Sequence, residues 1–118
     1  MIFLTMIFLH IVDDYVLQGI LAQMKQKKFW EDNAPDEKYK YDYIWALIMH
    51  SFSWTFMIML PLVLSGGSIG PLFYFFFVTN MLVHGLTDDL KANRFKINLW
   101  EDQLIHMAQI LVTFLVLY

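Results

Sequence analysis

Three histidine–aspartate pairs recur four residues apart in this chain: His10 with Asp14, His84 with Asp88 and, in reverse order, Asp102 with His106. A spacing of four puts both members of a pair on one face of a helix, one turn apart. The remaining histidine, His50, has no such partner. Neutral imidazole and carboxylate oxygen are ligands for zinc, iron or manganese. Cysteine is absent, which removes thiolate ligands, a cysteine nucleophile and any disulfide framework. The chemistry on offer is that of one or two divalent ions held by His10, Asp14, His50, His84, Asp88, Asp102 and His106. Helical bundles build two-metal sites from such groups, and two adjacent ions suit hydrolysis of phosphoesters and related bonds.

Such groups need elements that bring them together. The chain has 118 residues, enough for one domain, with 58% hydrophobic and only 16% charged residues. Soluble domains are about one quarter charged, so this composition points to a membrane protein. Four apolar segments, at about 2–24, 43–64, 72–90 and 99–118, each contain one histidine. The expectation is an all-α, four-transmembrane-helix antiparallel bundle. An aspartate at a helix centre costs roughly 2.5–3.5 kcal/mol to insert, so the stripe His10, Asp14, Gln18 should face protein. The N-terminal segment lacks a basic start and a small-residue cleavage site, and reads as a retained helix. Residues 25–41 read as a solvated polar loop, with Trp30, Tyr39, Tyr41 and Tyr43 at headgroup level. The turn Ser65–Pro71 makes its flanking segments antiparallel neighbours.

Every lysine and arginine, from Lys25 to Lys96, lies in the first and third connections. The positive-inside rule makes those connections cytoplasmic and leaves both termini outside, in an inner (cytoplasmic) membrane. Direction then explains the reversed pair. In all three pairs the aspartate comes one turn nearer the cytoplasm than its histidine, so the histidines form one layer and the aspartates another. Asp14 and Asp102 are the candidate general bases. Lys91 and Arg94 are placed to hold an anionic headgroup or phosphate, and Gln18 and Gln103 to orient ligands. Asp13 falls on the flank of the stripe and Asp89 at the membrane boundary, where both read as solvated, capping or ligand-supporting groups.

Three functions fit these groups. A metal-dependent hydrolase would act near the cytoplasmic leaflet on a lipid-linked or phosphoester substrate. A metal-ion or proton conductor would use the stacked His and Asp layers, although few polar groups continue to the outer face. A non-catalytic bundle would use the polar groups for interhelical hydrogen bonds or, in a haem-binding form, for axial ligation. Membrane lipids are the expected partners, homo-oligomerisation stays open, and the lack of a basic stripe argues against nucleic acid.

The ordered set His10-x-x-x-Asp14-x-x-Leu17-Gln18, His50, His84-x-x-x-Asp88-x-x-Lys91 and Asp102-Gln103-x-x-His106 resembles the domain of unknown function 3307 family, small membrane proteins of bacteria and phages. The His/Asp pattern is also distantly similar to that of the SOS-regulated inner-membrane metal-dependent hydrolases. The resemblance implies a metal site and, through that second similarity, hydrolysis.

Overall fold

The computed structural model describes residues 1–118, all-helical and without strands. Helices α1 (Ile2–Val12), α4 (Asp42–Leu64), α5 (Pro71–Ala92) and α6 (Leu99–Leu117) carry the four apolar segments, with short helices α2 (Leu21–Met24) and α3 (Lys27–Asn33) between the first two. The long helices close a ring in which α4 packs on α1 and α5, and α6 on α5 and α1. Local signals set the boundaries. Pro71 opens α5 at the position where its missing N–H costs nothing. The Asn98 side chain caps α6 by accepting from the Glu101 N–H. Gly66, at φ +87°, ends α4 in the left-handed conformation.

The first apolar segment is not the single helix expected over 2–24. After α1 the chain widens into a π-helical turn at Asp13–Leu17, and Gly19 at φ +52° separates this turn from α2. A π turn inserts one extra residue per turn and re-aims the side chains around it, often at functional sites. Here it turns both Asp13 and Asp14 inward, so that Asp13, 1% exposed, is neither solvated nor a cap and stands where a ligand-supporting group would. The polar stretch 25–41 is likewise more ordered than a solvated loop, holding α3 and a 3-10 turn at Glu37–Tyr39. Glu37–Leu64 is the one helical stretch long and apolar enough to cross a membrane by length and composition. The other segments fall short because the first is interrupted and the last two carry polar groups such as Asn80, Asp88, Glu101 and Asp102.

Packing is inverted relative to an ordinary core. Fourteen polar or charged residues are buried, against eight hydrophobic ones. Large apolar side chains such as Phe8, Phe52, Phe75, Leu82, Leu111 and Leu115 stand exposed on the outer faces. The apolar core is a small cluster around Met6, Trp54, Ile58, Met59, Leu62 and Ile110. Beside it, α4 and α5 approach so closely that a Cβ on Gly85 would lie 2.8 Å from Ser51 Oγ. These residues adjoin His84 and His50, and the close approach brings the two imidazoles together.

Candidate metal centre

The four histidines, one from each long helix, converge in the bundle interior and are at most 1% exposed. His84 is central. Its Nε2 lies 3.1 Å from His50 Nε2, and its Nδ1 lies 3.2 Å from His106 Nδ1. Its ring stacks on Trp54, with centroids 4.2 Å apart. The aspartates gather against these rings. Asp14 Oδ1 is 3.2 Å from His50 Nε2, and Asp88 Oδ2 is 3.4 Å from the same nitrogen. Asp88 Oδ1 and Asp102 Oδ1 lie 3.5 and 3.4 Å from His106 Nε2. Asp13, held by the Ser53 hydroxyl, faces His50 Nδ1 at 3.6 Å.

His10 stands apart from the rest in its bonding. The Trp54 indole N–H donates to His10 Nδ1 at 2.7 Å, so that nitrogen is an acceptor and the ring hydrogen sits on Nε2. Nε2–H then donates to Gln103 Oε1 at 3.1 Å. Both ring nitrogens are engaged, and His10 orients Gln103 rather than offering a free lone pair. Gln103 in turn donates to Asp102 Oδ2, while the Gln18 amide turns away to the Asp14 backbone carbonyl.

Two lysines reach the cluster. Lys25, which as part of a solvated loop should face water, is 6% exposed and lies 2.6 Å from Asp88 Oδ2. Its position directly after the first apolar segment is a signal that could have found it, since Asp88 ends the third segment on the same side. Lys91 lies 2.7 Å from Asp102 Oδ2. Lys91 is one residue beyond its apolar segment. Burial pulls its pKa down, but the hydrogen bond to Asp102 and the nearby carboxylates outweigh this and hold it above the ordinary lysine value. Arg94 does not join them. It is 62% exposed and pairs with Asp89 at 2.8 Å, and Asp89 also accepts from Asn93. A narrow cleft of about 40 Å³ reaches the cluster at this end, lined by Asp14, Tyr15, Gln18, Lys25, Asp88 and Lys91 among others.

On the opposite side the sequence reading overlooked Asn80, a buried residue in an apolar stretch. Gln109 donates to Asn80, and Asn80 donates to Thr113 Oγ1 at 2.7 Å. Its helical spacing of four from His84 was the available signal.

The residues present fit a divalent ion. Ligand atoms of Asp14, His50 and His84, and of His84, Asp88 and His106, lie within 4.8 Å of one another in each group. Ligands at about 2.0–2.2 Å from a tetrahedral zinc are separated by roughly 3.3–3.6 Å, and the nitrogen–oxygen separations above fall around that range. Asp14 Oδ1, Asp102 Oδ1 and His106 Nε2 are buried with no hydrogen-bond partner, as free ligand atoms would be. Four carboxylates (Asp13, Asp14, Asp88 and Asp102) face only two lysines, so with every carboxylate ionised and every imidazole neutral two negative charges would stand uncompensated. Buried charge of that size requires a counter-ion or protons. No protein-family model, curated protein or solved structure matches the chain.

Proposed function

We propose that this protein is a membrane-embedded four-helix bundle that binds a divalent metal ion in its His/Asp cluster and hydrolyses an ester or phosphoester of a lipid-linked or amphiphilic substrate. The observation that carries the metal is the excess of buried carboxylates over lysines around His50, His84 and His106, with ligand atoms of Asp14, Asp102 and His106 left unpartnered. Membrane embedding is supported by the inverted packing, with polar groups inside and aromatic and aliphatic faces outside. The resemblance to the domain of unknown function 3307 family points the same way. In this reading the 25–41 and 89–98 connections are cytoplasmic and both termini lie outside. Cysteines placed at Lys28 and Gly67 are then expected to label from opposite sides of sealed vesicles, and labelling from one side would sink the topology.

The ligand-type side chains gathered at the cluster are Asp14, His50, His84, Asp88, Asp102 and His106. An ion bound among them supplies Lewis acidity to an ester oxygen. Lys25 and Lys91, at the cleft, orient an anionic group entering from the cytoplasmic side. Asp14 lines the same cleft with Oδ1 unpartnered, and is placed to accept a proton from water. The test is turnover by the purified protein reconstituted with zinc or manganese, using long-chain phosphomonoesters and phosphodiesters in mixed micelles. Metal-dependent release that disappears in Asp88→Ala supports the reading. Metal uptake without cleavage of any ester leaves the site and removes the enzyme.

Conduction of a cation or proton is the second reading, favoured by the Gln109–Asn80–Thr113 chain that leads away from His106. Against it, the outer part of the bundle is filled by Met6, Ile58, Met59, Leu62 and Ile110, with Phe3 and Phe114 packed on them.

A further inference from the structure

We propose that Gln109, anchored by Asn80, fixes the tautomer of His106 and so selects the corner of the cluster that receives the ion; this rests on the metal-binding reading above. The Gln109 amide nitrogen lies 3.0 Å from the Asn80 backbone oxygen and 3.2 Å from Asn80 Oδ1. A backbone carbonyl can only accept, so the nitrogen end of the amide faces Asn80. The other end, Oε1, therefore faces His106 Nδ1 at 3.3 Å. Oε1 also only accepts, which places a hydrogen on His106 Nδ1 and makes Nε2 the nitrogen that carries the lone pair in the neutral ring.

That lone pair looks into a set of further acceptors. Asp102 Oδ1 is 3.4 Å from Nε2 and Asp88 Oδ1 is 3.5 Å from it. Neither Nε2 nor Asp102 Oδ1 has a hydrogen-bond partner. Lys25 and Lys91 bind the Oδ2 atoms of the same two carboxylates, which turns both Oδ1 atoms toward His106. A nitrogen lone pair facing two carboxylate oxygens is repulsive unless a proton or a metal ion lies between them, and an ion bound there takes the proton's place.

The tautomer also sets the neighbouring ring. His84 Nδ1, 3.2 Å from His106 Nδ1, meets an N–H and must accept. A neutral His84 then carries its hydrogen on Nε2, where His50 Nε2 accepts it at 3.1 Å. The lone pairs of His84 Nδ1 and His50 Nε2 are thereby occupied. At the His106 corner, Nε2, Asp88 Oδ1 and Asp102 Oδ1 are the atoms that face an ion, and Gln109 is a positioning residue for them.

The experiment is heteronuclear NMR of detergent-solubilised protein with isotope-labelled histidine, metal-free and zinc-loaded, beside a zinc-binding titration. His106 is expected to hold a hydrogen on Nδ1 in both states. Zinc should perturb Nε2 of His106, while no nitrogen of His84 or His50 becomes metal-bound. Gln109→Met should lose the single tautomer and weaken zinc binding about 10- to 100-fold, the usual cost of losing a partner that orients a ligand. Gln109→Glu, which can still accept from Nδ1–H, should retain the tautomer. A wild-type His106 with no hydrogen on Nδ1 overturns the proposal, as does zinc bound by His84 or His50, or a Gln109→Met protein with wild-type tautomer and affinity. If the tautomer behaves as stated but wild-type protein takes up no zinc, the metal-binding reading falls and the positioning by Gln109 stands.

Discussion

Asp88→Ala is expected to be among the most damaging single substitutions in the protein, while Asp89→Ala next to it is expected to be mild. Asp88 is 1% exposed, touches His50, His84 and His106, and is the only partner of the buried Lys25 ammonium. Its removal leaves that ammonium buried and uncompensated, a change that costs about 3–5 kcal/mol. It also removes a carboxylate from the proposed metal set. Binding an ion to the folded state alone stabilises it by about 2.7 kcal/mol when free metal is a hundred times its Kd. Chelator should therefore lower the thermal midpoint of wild-type protein in detergent, and zinc or manganese should restore it. In Asp88→Ala and His106→Ala the midpoint should ignore both treatments. Asp89 pairs instead with Arg94, an exposed side chain, and such pairs are worth at most about 1 kcal/mol. Asp89→Ala should keep the full response to chelator. Equal losses at Asp88 and Asp89, or a wild-type midpoint indifferent to metal, would reduce the cluster to interhelical hydrogen bonding.

Trp54→Ala should be comparably destructive by a different route. Trp54 is fully buried, stacks on His84 and donates its indole N–H to His10. Truncating a buried tryptophan costs about 3–5 kcal/mol from lost burial and the cavity left behind. Trp54→Phe separates the two roles. It keeps an aromatic face for His84 but leaves His10 Nδ1 without its donor, at a cost of about 1–3 kcal/mol. Unfolding measured by denaturant in detergent should rank the wild type above Phe, and Phe above Ala. If Ala and Phe are equal, the stacking on His84 contributes nothing.

These two predictions rest on information of different kinds. The pairing of His84 with Asp88 is local: a separation of four is one helical turn, so composition and period show it without any fold. The same holds for His10 with Asp14 and for Asp102 with His106, and the reversed order of the last pair matches a helix running the other way. The apolar segments and the lysine-bearing connections are equally local. From these alone the sequence determined an all-helical chain with its histidines and paired aspartates drawn toward one region.

The tertiary structure decided what each group does there, because the deciding partners are far apart in the chain. Trp54 is 44 residues from His10, Lys25 is 63 from Asp88, and Gln109 is 29 from Asn80. No periodicity encodes such contacts. Lys25 carries the same charge as its solvated neighbours, and only the chain's path past the π turn brings it to Asp88. The inward turn of Asp13 has the same origin, since one extra residue in a helical turn changes direction without changing composition. His10 and His106 look alike in sequence, each paired with an aspartate one turn away. One ring has both nitrogens bound by Trp54 and Gln103; the other turns Nε2 to Asp88 and Asp102. The difference lies in which neighbours donate and which accept, and that depends on three-dimensional packing rather than on spacing along the helix.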